Sequence, residues 1–305
     1  MRKWIVALFM ALASSAALAQ QTPDMDADLT VSRPLHVRGQ GPVVAIDAGH
    51  NNFHTAEGRY APFAEVLRND GYQVRSLAAE LTAPALAPLR VLVVSNALAK
   101  ENVVEWRLPT PPAFTPAEIE AVREWVRGGG ALFLIADHMP FPGAMASLAS
   151  AFGFTLDNSV AVPSPRRAEL FSRANGDLLD SEIVRGDVAG VPVTEVRTFG
   201  GSSFRAPPEA VPIMRLGSDW TIVFPEEWGV ISAVTPRRPS TGEDLRAAAL
   251  EFGKGRVVVV SEAAAFSAQA APGGPMGFRA DGAGQNKQFL LNVMHWLSQG
   301  AAEAR

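Results

Sequence analysis

Short apolar runs alternate with amphipathic segments along the first half of the chain. The runs that we expect to be strands are Val43 to Asp47, Tyr72 to Leu77, Arg90 to Asn96 and Ala131 to Ala136. The first, third and fourth are almost continuously apolar, which is typical of strands buried on both faces of a parallel sheet. Because helical segments separate these strands, the pattern predicts an α/β fold.

The predicted helices are marked by their ends as well as by their apolar faces. Pro62 to Asn69 begins with a proline, which suits the first turn of a helix. Thr115 and Glu118 form a capping-box pattern at the start of the next helix, which Gly128 to Gly130 ends. Asn286 to Ser298 is expected to be the last helix.

Prolines and glycines recur in the middle of the chain, at about residues 155–245, and the strand-like runs there are short. These runs are Val193 to Phe199, Val211 to Leu216, Trp220 to Phe224 and Gly229 to Val234. Leu245 to Phe252 and Arg256 to Ser261 then flank a glycine-containing turn and predict a β hairpin.

We therefore expect one α/β domain over residues 42–299. It would be a flavodoxin-like three-layer sandwich with a mostly parallel sheet, a β-rich insertion at about 155–245, and a C-terminal β hairpin plus helix. Residues 20–41 are polar and aperiodic and predict an N-terminal arm, and residues 300–305 form a tail.

The first nineteen residues have the pattern of a secretory signal peptide. Arg2 and Lys3 are followed by the apolar run Trp4 to Ala13 and by the small-residue box Ala17-Leu18-Ala19, so we expect cleavage before Gln20. The apolar run is shorter than the ~20 residues that span a bilayer, and the chain has no cysteine for a lipid anchor. We expect a periplasmic or secreted protein without a stable membrane anchor.

Composition narrows the classes of chemistry and of partner. The absence of cysteine excludes disulfides, thiolate metal sites and cysteine nucleophiles. The formal charge is −4, and loss of Arg2 and Lys3 would make it −6, so no basic footprint for nucleic acid is expected. The expected partner is a small molecule or a glycan, with a protein as the alternative.

Polar side chains collect where the predicted strands end. Asp47, His50, Asn51, Asn52 and His54 follow the first strand; Asn96 ends the third, Asp137 and His138 follow the fourth, and Glu262 follows the last. The carboxyl ends of parallel strands line one edge of a sheet, where open α/β folds bind ligands. We therefore expect these groups to share one crevice.

Each of these side chains has a chemical and a structural interpretation. His50 and His54 have the spacing that, on a helical turn, lets two imidazoles share a divalent metal such as Zn²⁺ with Asp137; alternatively His54 caps a helix or bonds a backbone carbonyl. Asp137 and His138 are candidates for a base and its partner, or for two ligands, although an aspartate there can also cap a helix.

Asp47 and Glu262 are further acid–base or ligand candidates, and Glu262 can equally be a cap or a surface carboxylate. Asn51, Asn52, Asn96 and Arg59 are the candidate substrate-binding residues; asparagine is also a default turn residue, and an exposed arginine is common. Trp220 and Trp228 suit a sugar-stacking platform or the core. No Gly-x-Ser-x-Gly elbow and no P-loop is present.

The segments that carry a resemblance to known proteins are Val44 to His54, Glu124 to Asp137, Phe252 to Val260 and Asn286 to Leu297. They resemble the class I glutamine-amidotransferase-like fold and, more closely, exported proteins related to the gliding-motility auxiliary protein GldG and to intraflagellar-transport-type domains. In true amidotransferases a cysteine nucleophile follows the strand equivalent to Ala131 to Ala136. Here Asp137-His138-Met139 takes that place, so the resemblance implies a fold and a pocket and excludes glutaminase chemistry.

A trehalose-utilisation-like branch of the same fold keeps histidines near its first strand, and this analogy favours carbohydrate chemistry. The sequence thus supports two hypotheses. In the first, the protein is a hydrolase-like or sugar-modifying enzyme that uses the histidines and carboxylates of the crevice. In the second, it is a non-catalytic module that binds a glycan or a protein in the same place.

Overall fold

The computed structural model describes residues 21–299. The expected signal peptide and its cleavage position, and the tail at 300–305, lie outside the described residues. Within residues 21–299, no helix combines the length and the apolar character needed to cross a membrane.

The strands are β1 (Thr22–Pro23), β2 (Val43–Asp47), β3 (Gln73–Leu77), β4 (Val91–Ser95), β5 (Ala131–Ile135), β6 (Thr155–Leu156), β7 (Val160–Pro163), β8 (Glu169–Ser172), β9 (Glu195–Thr198), β10 (Phe204–Arg205), β11 (Val211–Arg215), β12 (Trp220–Val223), β13 (Arg237–Pro239), β14 (Leu245–Phe252), β15 (Gly255–Val260), β16 (Ala268–Ala271) and β17 (Gly274–Gly277). The α-helices are α1 (Ala61–Asn69), α2 (Ala83–Leu86), α3 (Pro116–Arg127), α4 (Phe141–Ser150), α5 (Glu182–Arg185) and α6 (Asn286–Ser298). Short 3₁₀ turns cover Lys100–Asn102 and Ala264–Phe266.

One large mixed sheet organises the molecule. Its strand order is β3-β2-β4-β5-β15-β14-β10-β6, and β11 also pairs with β14. The strands from β3 to β15 in this order run parallel, whereas β14, β10, β6 and β11 are joined by antiparallel pairing. The parallel part of the sheet is the part that the apolar runs predicted.

Helices cover both faces of this sheet. Successive strand residues point to opposite faces: Phe133 joins the core cluster of α1 and α6 with Phe63 and Phe289, whereas the adjacent Leu132 joins the cluster that includes Val126 of α3. The α/β class and the three-layer sandwich are therefore confirmed.

The capping box is also confirmed at the start of α3. The Thr115 side chain accepts a hydrogen bond from the backbone N–H of Glu118, and the Glu118 carboxylate accepts one from the backbone N–H of Thr115. These bonds satisfy N–H groups that the first turn of a helix otherwise leaves without partners.

The middle of the chain is partly an extension of the main sheet. β6, β10 and β11 join the main sheet, β7, β12 and β13 form a small sheet of their own, and β8 pairs with β9. The strand expected at Gly229 to Val234 is wrong. This segment is irregular, and Val230 and Val234 are 59% and 89% exposed, so it has no buried face to hold it against a neighbour.

The arm is bound to the body of the protein. β1 pairs with β16, and the buried Ala27 and Leu29 belong to the core cluster of α1 and α6. Because Gln21 immediately precedes β1, the pairing also brings Gln21 to the rim of the cavity described next.

Candidate functional site

A cavity of about 460 Å³ opens at the carboxyl ends of the parallel strands. The register explains which groups meet there. Ile135 lies opposite Val260 in the pairing of β5 with β15, so Asp137 and Glu262 each follow their strand by the same two residues. His54, from the loop after β2, and His138 complete the polar floor.

Aromatic and aliphatic side chains form most of the remaining wall. The other lining residues are Gln21, Phe53, Phe141, Val160, Val162, Pro163, Arg166, Arg167, Glu169, Phe199, Gly200, Trp228, Gly229, Ile231, Ala264, Gln269 and Met276. Many of them belong to the insertion, so the cavity lies between the main sheet and the insertion.

Asp137 is an acid with a raised pKa. Burial raises the pKa of Asp137 to about 7; Arg246 opposes this shift, and the charge of Glu169 adds to it. The backbone N–H of Asp137 donates to Asn96 Oδ1 at 2.9 Å, which fixes the residue at the strand end. Its carboxyl group is therefore an acid or a base that can change protonation state around pH 7.

Glu262 bonds the backbone of the turn that follows it and also lies at the cavity. Its carboxyl oxygens accept hydrogen bonds from the backbone N–H groups of Ala264 (2.8 Å) and Ala265 (2.9 Å), so it caps the 3₁₀ turn. It also lines the cavity. Burial raises the pKa of Glu262 well above its usual range, and the charge of Asp137 raises it further.

A buried ion pair between Arg246 and Glu169 adjoins these acids. Arg246 Nη2 donates to Glu169 Oε2 at 3.2 Å, and Arg246 Nη1 donates to the carbonyl oxygen of Ser202 at 2.6 Å. The Glu169 carboxylate also accepts from the Thr198 hydroxyl at 2.7 Å. Neither residue is among the candidates that the sequence pattern predicts.

Gly201 makes room for this ion pair. A Cβ at this position would lie 1.7 Å from the carbonyl oxygen of Ser261 and 2.5 Å from Arg246 Nη1. Because the first of these contacts is with backbone, a side chain at Gly201 would displace the strand end that carries Glu262.

His54 is a neutral imidazole. Burial lowers the pKa of His54 to about 3, and the charges of Arg59 and His138 contribute. Its Nδ1 lies 3.2 Å from Asn96 Nδ2, and its Nε2 lies 3.4 Å from Gln269 Nε2. The ring also packs against Tyr60, with 4.5 Å between the ring centroids.

His138 is a second neutral imidazole. Burial lowers the pKa of His138 to about 4, and Nδ1 donates to the carbonyl oxygen of Met139 at 2.8 Å, so the Nε2 lone pair is left to accept. The ring stacks on Trp228 with 3.4 Å between centroids and 4° between planes. Trp220, the other candidate for a stacking platform, is 4% exposed and packs on Phe171 in the core.

His50 lies outside the cavity lining and holds two carboxylates together. Its Nδ1 contacts Asp47 Oδ2 at 2.9 Å, and its Nε2 contacts Glu118 Oε1 at 2.9 Å. Burial disfavours the imidazolium, but hydrogen bonds and charges from Asp47 and Glu118 outweigh burial and raise the pKa of His50. The loop after β2 turns His50 toward Phe114 and α3. Contrary to our expectation, Asp47 and His50 therefore do not share the crevice with Asp137.

The helical turn on which the metal hypothesis relied is wrong. Residues 48–54 form bends and irregular structure, and His50 and His54 make separate sets of contacts. Within residues 21–299, no group of three or more His, Cys, Asp or Glu side chains is arranged to hold a metal ion. The set of His50, His54 and Asp137 therefore does not form a metal site.

The candidate substrate-binding residues make bonds within the protein. Asn51 Nδ2 donates to the carbonyl oxygen of Leu98, and Asn52 Nδ2 donates to Asp47 Oδ2. The Arg59 guanidinium lies 3.8 Å from the centroid of the Phe53 ring. None of these residues, nor Asn96, is among the residues that line the described cavity, and they position the loops around it instead.

The backbone conformation at residue 96 explains why an asparagine occupies this position. Its φ is +48°, a left-handed conformation that asparagine adopts more readily than most residues. From there its side chain bridges Asp137 and His54.

The sequence signal for Arg246 was a charged residue within the otherwise apolar Leu245 to Leu250; Glu169 and Gln269 carried no such signal.

Comparison with solved structures shows the fold. The mmIFT52 N-terminal domain is 18% identical over 84% of this chain and 98% of that chain, with a TM-score of 0.59. The cytoplasmic protein STM1381 from Salmonella typhimurium LT2 is 14% identical over 84% and 99%, with a TM-score of 0.50. A ThuA-like protein from Bacteroides uniformis ATCC 8492 is 11% identical over 90% and 95%, with a TM-score of 0.47.

No model of a known protein family matches the chain, and no curated protein matches it in sequence. The expected resemblance to intraflagellar-transport-type domains thus holds at the level of the fold. At these identities the likeness shows the fold alone, because one fold can carry many activities.

We predict that His50→Ala destabilises the protein by roughly 3–5 kcal/mol, because it leaves two buried carboxylates without their shared partner. Urea unfolding measures the loss. Glu118→Gln keeps the capping box. In the His50→Ala background it should cost much less stability than it costs in the wild type, and equal costs would show that His50 and Glu118 are not coupled.

The effect of His50→Ala should also depend on pH. The raised pKa of His50 gives stability that is fully present below 6.5 and is lost as the pH rises through the folded-state value. Hydrogen bonds from Thr115, His50 and Leu81 overcome burial and lower the pKa of Glu118 to about 2, so its contribution is lost as the pH falls below 4.5. The difference from wild type should be largest between these limits.

Proposed function

We propose that this cavity is the active site of an exported hydrolase-like or sugar-modifying enzyme in which Asp137 is the general acid–base group. The observation that carries the proposal is the position of Asp137 on the floor of the cavity with a pKa raised to about 7. A catalytic acid or base works best when its pKa is near the working pH.

The groups around Asp137 support a role in proton transfer rather than a role as a permanently charged carboxylate. Glu262 shares the floor, and its raised pKa follows from burial and from the nearby Asp137. Two carboxyl groups with elevated and mutually dependent pKa values can hold one proton between them, as acid–base enzymes require. Asp137 would deprotonate water or a substrate hydroxyl, or protonate a leaving group. Glu262 would stabilise the charge that Asp137 has after the proton transfer.

The wall suits a substrate with an apolar ring face and polar edges. Phe53, Phe141 and Trp228 line one part of the cavity, and the carboxylates, His54 and Gln269 provide hydrogen-bonding groups. Sugars combine these two kinds of surface, and a cavity of about 460 Å³ matches the size class of small-molecule sites. A small carbohydrate is therefore the substrate class that we favour.

The same aromatic wall also supports the second hypothesis, a module that binds a glycan without changing it. Trp228 is held flat against His138 and offers an ordered surface without any need for acid–base chemistry. In that case the carboxyl groups would only accept hydrogen bonds from the hydroxyl groups of the ligand.

The first experiment measures the release of 4-nitrophenol from a panel of 4-nitrophenyl glycosides, read after an alkaline quench. We expect turnover of at least one glycoside and a loss of about 10²–10⁴-fold in Asp137→Asn, since general acid–base catalysis contributes that much. Glu195→Gln, an exposed change on β9, is the matched control. Ligand-induced quenching of Trp228 fluorescence, abolished in Trp228→Ala, without turnover would instead favour the binding module.

The pH profile tests the assignment of Asp137. The charge of Glu169 raises the pKa of Asp137 and Arg246 lowers it, so Glu169→Gln removes the first influence and frees the second. The limb of kcat/KM near pH 7 should move to lower pH in Glu169→Gln and stay in place in Glu195→Gln. A limb that does not move in a folded Glu169→Gln protein would assign it to another group.

We also propose that the protein is exported, on the strength of the basic start, the short apolar run and the Ala17-Leu18-Ala19 box. N-terminal sequencing of the protein from the periplasm or medium should begin at Gln20. Recovery of an exported form that still begins at Met1 would contradict this expectation.

A further inference from the structure

Gln269 on β16 has an incomplete set of hydrogen bonds inside the cavity. Its side chain is buried, with the residue 1% exposed, and it lines the cavity. Its Oε1 has no hydrogen-bond partner among the described residues, while its Nε2 lies 3.4 Å from His54 Nε2. A buried polar atom without a partner costs stability, so such an atom at a cavity wall points to a ligand.

A chain of hydrogen bonds fixes the proton on His54. The backbone N–H of Asp137 can only donate, and it donates to Asn96 Oδ1 at 2.9 Å. The Asn96 amide nitrogen is therefore the atom that faces His54 Nδ1, at 3.2 Å, and Nδ1 must accept. A neutral imidazole that accepts at Nδ1 carries its proton on Nε2.

This proton decides the orientation of Gln269. The Nε2–H of His54 and an amide N–H are both donors and cannot bond each other. A half-turn of the Gln269 amide exchanges two atoms of nearly equal size, places Oε1 toward His54, and moves the amide N–H₂ to the position where Oε1 finds no donor among the described residues. The chain from Asp137 through Asn96 and His54 then ends in a donor on a residue that lines the cavity.

We propose that the Gln269 amide, oriented by His54 and Asn96, is a binding subsite for a neutral hydroxyl or carbonyl oxygen of the ligand. A role of this subsite in a reaction rests on the proposed function, whereas the existence of the subsite does not. An ammonium group has no lone pair to accept from the amide and would leave the donor unpaired. An anion would meet the carboxyl groups of Asp137, Glu169 and Glu262, which outnumber the guanidinium groups of Arg166 and Arg167 in the same lining.

Imidazole ¹⁵N spectra test the hydrogen-bond chain without a substrate. The chain has five histidines, and His54→Asn assigns the resonances of His54 in protein labelled with ¹⁵N-histidine. Between about pH 5 and 8, where an ordinary histidine titrates, His54 should keep a protonated Nε2 and a bare Nδ1. In Gln269→Leu the Nε2–H should shift and exchange faster. A proton on Nδ1, or an imidazolium in this range, would overturn the proposal.

Ligand probes test the subsite. Glycerol should shift the Gln269 side-chain N–H₂ resonance, and methylammonium at the same concentration and ionic strength should not; no shift with glycerol, or equal shifts, would overturn the subsite. With any glycoside that the wild type turns over, Gln269→Leu should raise KM about tenfold, the cost of one lost hydrogen bond, with the pH limb near 7 unchanged. An unchanged KM would overturn the subsite and leave the proposed function intact. A glycerol-induced shift without turnover by any variant would support the subsite and contradict the proposed enzyme function.

Discussion

The buried guanidinium of Arg246 is the interaction on which the candidate site depends. It is bonded to Glu169 and to backbone carbonyls at the ends of neighbouring strands, and it lowers the pKa values of Asp137 and Glu262. One cation among three carboxyl groups cannot balance them all when each is ionised. Burial then favours retention of a proton, and this is why Asp137 can titrate near pH 7 while it lies beside a positive charge.

Three histidines that follow strands of the main sheet, His50, His54 and His138, occupy two environments of opposite chemistry. His50 contacts two carboxylates and is favoured as a cation, so it binds α3 to the end of β2. His54 and His138 contact amide and backbone groups and stay neutral. A neutral imidazole can donate from one nitrogen and accept at the other, which makes this second pair suitable for contacts with a ligand.

Much of the framework could be predicted from the sequence because it follows local rules. Apolar runs and the capping box at Thr115 located the parallel strands and α3, and parallel topology brought Asp137 and Glu262 to one edge. The direction of each side chain in the loop after β2 follows no such rule. His50 and His54 were expected on one helical turn, yet the irregular backbone sends them to different neighbours. Glu169 and Gln269 reach the cavity through long-range pairing that sequence spacing does not reveal.

The origin of the cavity residues suggests how this fold acquires a particular chemistry. Asp137 and Glu262 come from strand ends of the core sheet, which is the part that a parallel α/β topology fixes. Glu169 and Trp228 come from the insertion, and Glu169 sets the charge that Arg246 must balance. The core therefore fixes the position of the acid, and the insertion contributes the charge of Glu169 to its raised pKa and part of the wall of its pocket. Two proteins with this same sheet can differ in their chemistry if their insertions differ, because the pKa of Asp137 responds to a neighbour that the core does not supply.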